Sequence, residues 1–430
     1  MNRITGNQQG VNTECCGPIR TVSSEKERSK VSSGDIVYLQ NAGETPDDIV
    51  TFHQLIKAGA VGFICESIGR TDHRVIVAKE FGLPFITAIS EYELPEEGTP
   101  VTIRGSRLLY GAKKHTDTSS KMSSSLAPTE TNTDVLISLG FPELIKKRER
   151  LPKLTDGVGY LRTEFVLLDI LDGIHPYEYI KRHSENILAN KLANRIEPVL
   201  EAYSSDVWIR TDDFSVKQLH SMEEGNTYES PEENSILGWR GVSRSVSEQT
   251  LYEVQLKAIQ ILVNRGYDNI GLFPPMTRFP EEYRTWKKQA TDFGLTGIRY
   301  GLMVETPAAA LTFEELTDQI SFGVVGCNDL TQYTLAISRS NDQLQEQYSP
   351  QRRAVRCLID RVLDIADQNA IEMAVGGQVG SDPDAIASML TRYEPSVITT
   401  PWPQTIVNVQ NRLSMLEDQQ PTEVNAPRYS

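Results

Sequence analysis

Positive charge is scarce in this chain: 43 Lys and Arg stand against 58 Asp and Glu, a formal net charge of -15. Such a balance excludes a chain built to coat nucleic acid or an anionic membrane surface, because both present phosphate. It leaves room for a local basic pocket holding a small phosphorylated ligand. Cysteine is scarce too. The five present show no metal-ligand spacing, which excludes a disulfide framework and reads as reduced thiols, with the adjacent Cys15 and Cys16 open to oxidation. Long apolar runs are missing: residues 1–10 have no apolar signal core and no stretch reaches about eighteen apolar residues, so a cytoplasmic protein without a membrane span is expected. What is present is a 39% apolar composition over 430 residues, ample for two or three domains with proper cores.

The residues divide into two blocks. Residues 1–16 are polar and expected to be disordered. Residues 17–113 show short strand signals at 35–39, 61–65, 84–88 and 100–103, with helical periodicity at 48–58 and 75–81 between them, which predicts a small α/β domain. Residues 114–133 are rich in Ser, Thr and Lys and lack apolar periodicity, the composition of a flexible linker. From 134 to 418, strand-like runs at 135–139, 157–161, 207–210, 270–273, 300–304, 321–325, 371–375 and 397–400 alternate with longer helical stretches, as a closed parallel (β/α)8 TIM barrel needs. Residues 419–430 form a tail.

Chemistry gathers in a few segments. Gly69-Arg70-Thr71-Asp72-His73-Arg74-Val75-Ile76 runs through an alternating apolar stretch to Gly82-Leu83-Pro84 and places His73 at a turn into a helix. A histidine there has backbone N–H groups and a favourable dipole nearby, which suits a transient phosphoryl group. Imidazole is also nucleophilic near neutral pH. In the second block, Gly157-Val158-Gly159-Tyr160-Leu161-Arg162-Thr163-Glu164-Phe165, Val207-Trp208-Ile209-Arg210-Thr211-Asp212-Asp213 and Asn234-Ser235-Ile236-Leu237-Gly238-Trp239-Arg240-Gly241 each run into an arginine. The planar guanidinium fork donates two hydrogen bonds to phosphate or carboxylate and never deprotonates. Gly301-Leu302-Met303-Val304-Glu305-Thr306-Pro307 and Gly326-Cys327-Asn328-Asp329-Leu330-Thr331-Gln332 put two hard oxygen ligands, Glu305 and Asp329, at neighbouring strand ends, as a Mg²⁺ carrying a phosphorylated substrate requires.

Together these segments resemble the PEP-utilising enzymes, meaning phosphoenolpyruvate (PEP) synthase, pyruvate phosphate dikinase and enzyme I of the sugar phosphotransferase system, in the order of mobile histidine domain followed by barrel. The resemblance implies a swivelling phosphohistidine domain on a PEP/pyruvate-binding TIM barrel. It gives His73 as the residue phosphorylated, Arg162, Arg210, Arg240 and Arg339 with Asn328 as phosphoryl-binding residues, and Glu305 and Asp329 as ligands of Mg²⁺. Within these residues the nucleotide-binding module of the synthase and dikinase has no counterpart, so a separate ATP-binding subunit is an expected partner. Dimerisation through the barrel is expected by analogy.

Two departures qualify the chemistry. His73 is flanked by Asp72, which would raise its basicity, and by Arg74, which could hold phosphate. At Gly376 the family carries a cysteine that exchanges the proton at the methylene carbon between PEP and pyruvate; glycine has no proton to give, while Gly377, Gln378, Ser381, Asp382 and Pro383 keep the scaffold. The expected function is therefore Mg²⁺-dependent phosphoryl transfer through His73 between a donor and PEP/pyruvate or an enol- or phenol-like acceptor. Cys327 or a trapped water would be the substitute acid where carbon protonation is needed. A non-catalytic PEP- or pyruvate-binding regulatory protein and an enzyme-I-like PEP–protein phosphotransferase are the alternatives. An aldolase or lyase is weaker, because those enzymes have no phosphohistidine domain.

Overall fold

The structure is a computed structural model that describes residues 3–23, 25–40, 49–68, 72–110, 127–339, 341–381, 385–387 and 393–418. Eight strands make the first sheet: β1 (Arg3–Thr5), β2 (Asn7–Gln8), β3 (Glu14–Val22), β4 (Ile36–Leu39), β5 (Gly62–Cys65), β6 (Phe85–Thr87), β7 (Pro100–Arg104) and β8 (Arg107–Tyr110). Their order is β1-β8-β7-β3-β4-β5-β6-β2. β3 to β6 pair in parallel, with helices Ile49–Lys57 and His73–Phe81 in the crossovers, while β7, β8, β1 and β2 pair antiparallel.

This corrects the expectation that residues 1–16 are disordered: β1 pairs with β8, β2 with β6, and β3 with β7 from Glu14 onward. β1 and β2 are short edge strands of mostly polar residues. Their order comes from ladder hydrogen bonds to strands far away in sequence, and local apolar pattern carries no trace of that. β3 escaped notice because Gly17 and Pro18 interrupt its strand pattern.

Eight parallel strands follow: β9 (Val135–Leu139), β10 (Gly157–Arg162), β11 (Val207–Arg210), β12 (Ile270–Phe273), β13 (Arg299–Val304), β14 (Phe322–Gly326), β15 (Glu372–Gly376) and β16 (Ser396–Thr399). They close into a barrel, sealed where Val397 of β16 pairs with Val135 of β9. The expected strands coincide with these within a residue at each end. Two cores follow from the period-2 alternation of strand side chains. Trp208, Phe273, Met303, Phe322, Val324, Ala374 and Ile398 fill the interior, with Trp208 stacked on Phe322 at 4.3 Å between ring centroids. The other faces of the strands pack under the surrounding helices in a core that continues into the small domain.

That continuity is what places the site. Phe81 and His53 of the small domain pack on Phe141 of the barrel, at 5.0 and 4.2 Å between centroids. Gly82, the helix C-cap at φ 72°, sits so close beneath Trp402 that a Cβ there would overlap the indole. Both the left-handed backbone and the flat ring require glycine. Of the expected linker, residues 114–126 lie outside the described residues, and so does the tail 419–430. The last residues of the linker are held on the final helix, where Asn132 and Thr133 donate backbone N–H groups to Glu417 at 2.8 and 3.0 Å. Among the described residues no helix is long and apolar enough to cross a membrane.

Candidate active site

His73 opens the helix His73–Phe81, and Asp72 caps it by accepting from Arg74 N at 2.9 Å. The helix lies across the C-terminal mouth of the barrel. There the His73 ring meets Phe165 edge-on at 6.1 Å, and Nε2 lies 3.1 Å from Arg339 Nη2. Guanidinium can only donate, so in this contact Nε2 is the acceptor and directs its lone pair toward the mouth. Arg74 does not face outward to receive phosphate. Its guanidinium folds back on Asp72, with Nε and Nη2 each 3.0 Å from the carboxylate.

The sequence-expected arginines converge on the same mouth, each on a carboxylate. Arg162 ends β10 and pairs with Glu80 of the small domain. Arg210 ends β11 and pairs with Glu164, 4.0 Å from Asp213 as well. Arg240 forks onto Asp213 through Nε at 2.8 Å and Nη2 at 2.7 Å. Arg339 reaches Asp329 at 3.4 Å from its other Nη. Burial alone would pull Arg210 and Arg240 down, but Glu164 and Asp213 outweigh it and hold both above the ordinary arginine range. Arg162 Nε and Arg210 Nε are buried without a hydrogen-bond partner, as is Glu164 Oε2. Orphaned donors of this kind are costly. An anion seated in the mouth would satisfy them.

Glu305 follows β13 and is 2% exposed, its Oε1 accepting from Met276 N at 2.6 Å. Burial, and after it the neighbouring Asp329, push its carboxyl up to about 8. Asp329 sits in the first turn of helix Cys327–Leu335. Two repelling acids of which one is fully desolvated fit a divalent cation that takes its other ligands from substrate oxygens and water. No group of three or more His, Cys, Asp or Glu suited to a metal occurs among the described residues, so these two would be the protein's share. Asn328, on the same turn, presents its Oδ1 where a Cβ on Gly377 would stand 2.8 Å away, and Gly377 has φ 94°. Glycine is required there twice over.

The space beside Gly376, where the sequence resemblance leads one to expect a cysteine, is open. The nearest atoms that a Cβ at Gly376 would meet belong to Ile398 and Tyr160, at 3.5 Å, which is ordinary contact. Cys327, expected as a substitute acid, does not face the mouth as an exposed thiol. It belongs to the core between strands and helices, 1% exposed, its thiol pushed up to about 12 by burial. The side chain of Gln378, and Asp382 and Pro383, lie outside what is described.

Sequence reasoning missed the carboxylates. Glu164 and Asp213 stand two and three residues after Arg162 and Arg210 in the same motifs, but the arginines they pair with most closely, Arg210 and Arg240, are forty-six and twenty-seven residues away. For Glu80 the partner is eighty-two residues away.

Comparison with known proteins agrees with this architecture. The family model for the PEP-binding domain of PEP-utilising enzymes matches residues 114–397, and that for their mobile domain matches residues 32–108. The chain belongs to the PEP-utilising enzyme family. It is 34% identical over 392 residues to the phosphoenolpyruvate synthase of Pyrococcus furiosus, covering 87% of this chain and 46% of that protein. To the probable phosphoenolpyruvate synthase of Archaeoglobus fulgidus it is 32% identical over 391 residues, covering 90% and 50%. The chain thus spans about half the length of the curated relatives it matches. A HpcH/HpaI aldolase/citrate lyase family protein from Burkholderia cenocepacia overlays 66% of the chain and 95% of its own at 11% identity and a TM-score of 0.37, a likeness too slight to bear on chemistry.

Proposed function

We propose that this chain moves a phosphoryl group between PEP and His73 in the C-terminal mouth of the barrel, in the manner of a PEP synthase. The observation that carries the reading is the 3.1 Å approach of His73 Nε2 to Arg339, in the mouth that also holds Arg162, Arg210 and Arg240. The Nε2 lone pair attacks phosphorus in line, needing an approach of about 3 to 3.5 Å. The bond from phosphorus to the enolate oxygen breaks, and its electron pair stays on that oxygen. The arginine forks neutralise the phosphoryl oxygens throughout, and Asn328 donates to them. Glu305 and Asp329 would hold Mg²⁺, which when bound supplies Lewis-acid neutralisation of the same charge.

Gly376 bears on the acceptor. With no protic side chain at the end of β15, the site suits an acceptor whose attacking atom is already oxygen, an enol or a phenol, so that no carbon need be protonated. Tyr160 and Ile398 border the open space beside Gly376.

Incubation with Mg²⁺ and PEP labelled in its phosphoryl group tests the reading. Acid-labile label on the wild type and none on His73→Ala is the expected result; an unlabelled wild type, or label that survives in His73→Ala, removes the proposal.

A further inference from the structure

The helix that carries His73 also carries Glu80, seven residues on. Seven residues are two turns, so both side chains leave the same face, about 10.5 Å apart along the axis. Both meet arginines of the barrel: His73 meets Arg339, and Glu80 meets Arg162. Glu80 is 0% exposed. Its second oxygen accepts the Gly140 N–H at 3.0 Å, and Arg148 acts on it electrostatically. All three partners belong to the barrel. A carboxylate removed so completely from water is tolerable only while they are in place.

We propose that Glu80 is a positioning residue that registers the histidine helix on Arg162, so that His73 comes into line with the anion-binding arginines only when this second point of attachment forms. Phe81 on Phe141 and Gly82 beneath Trp402 already hold the C-terminal end of the helix, by packing that has little directional preference. The Glu80–Arg162 pair adds a directional, charged contact two turns from His73, which sets the rotation of the helix about its axis. The Glu80 pair occupies Nη2 of Arg162 and leaves Nε, buried and without a partner, for a phosphoryl oxygen. Docking and anion binding therefore use different edges of one guanidinium. The inference rests on the proposed function in taking the reaction at His73 to be phosphoryl transfer; the docking contact itself does not depend on it.

The test uses the full chain with Glu80→Gln, which keeps shape and loses charge, and Lys57→Ala, which removes the half-exposed ion pair to Asp169 elsewhere on the same interface. Hydrogen–deuterium exchange over residues 140–144 reads docking without reference to any reaction. Glu80→Gln should raise exchange there by roughly tenfold and lower the rate of His73 labelling at saturating PEP by roughly tenfold or more, with half-saturation by PEP within about twofold of wild type. Lys57→Ala should change each by less than about twofold. Exchange in Glu80→Gln matching wild type, equal effects of the two substitutions, or a labelling defect that appears in half-saturation rather than in rate would overturn the proposal. Should wild type take no label from PEP, the phosphoryl-transfer reading fails while the exchange measurement still decides whether Glu80 registers the helix.

Discussion

At the C-terminal mouth of the barrel, Arg162, Arg210, Arg240 and Arg339 each meet a carboxylate, whereas at the N-terminal mouth Asp134, Asp156, Asp206, Asp268 and Glu372 line a cavity of about 450 Å³ with Arg299 as the one Lys or Arg among its lining residues. In that second mouth burial and then like-charged neighbours raise Asp134, and burial raises Asp206 in spite of its pair with Arg299. One fold thus presents a balanced, donor-rich end and an acid-rich end. Buried arginines are costly unless paired, so the carboxylates stabilise the first mouth, while the orphaned Nε groups of Arg162 and Arg210 are donors that a further anion would satisfy. The acid-rich end would repel the same anion. Ligand sites of (β/α)8 barrels sit at the C-terminal face, and in this chain the charge distribution alone points to that end.

The contrast can be broken most forcefully by removing a cation from each mouth. Arg240→Ala leaves Asp213 buried without its fork and should cost about 3 to 5 kcal/mol in urea denaturation. Arg299→Ala, from a side chain that is 58% exposed, should cost less than about 1 kcal/mol. Equal losses would mean that the two mouths are held by the same forces after all.

Asp212 sharpens the picture by pH. Burial raises its carboxyl from the ordinary 3.8 to about 6, while Gln255 donates its Nε2–H to that carboxyl and accepts the Asp212 backbone N–H on Oε1. The folded state therefore binds a proton that the unfolded state has released, so this group's contribution is fully present below about pH 3.8 and is lost as pH rises through about 6. That amounts to about 3 kcal/mol. Asp212→Asn cannot ionise, and relative to wild type it should gain about that much between pH 4 and pH 8 in chemical denaturation. A difference that stays flat with pH would show that Asp212 titrates normally.

Mg²⁺ at about a hundredfold over its Kd should stabilise the wild type by about 2.7 kcal/mol, read as a rise in Tm, and Glu305→Gln should abolish the rise. An equal rise in the variant would place the cation elsewhere. The smallest effects come from two adjacent glycines. Gly376→Cys should change stability by less than about 1 kcal/mol, because its Cβ meets neighbours at ordinary distance. Gly377→Ala, at φ 94° and against Asn328, should cost about 1 to 3 kcal/mol.

Much of this was legible in the sequence, for identifiable reasons. The barrel strands are short apolar runs buried on both faces and separated by helical periods, a pattern that local composition records faithfully. The N-terminal strands failed because β1 and β2 draw their stability from backbone pairing with β8 and β6. In the site, Arg162 and Arg210 end β10 and β11, Glu305 follows β13, Asn328 and Asp329 open the helix after β14 and Arg240 lies in a loop; what singled them out was the motif around each. The counter-ions Glu164 and Asp213 were visible beside them yet passed over as spacing residues. Glu80 was out of reach, since its meaning depends on two domains meeting.

Calorimetric binding of PEP in the presence of Mg²⁺ to wild type, Arg240→Lys and Arg299→Ala tests most directly the claim that the C-terminal mouth is the anion site. Replacing the Arg240 fork by a point charge should weaken binding by roughly tenfold or more, while Arg299→Ala should leave it within about twofold. Unchanged affinity in Arg240→Lys together with a loss in Arg299→Ala would contradict the account.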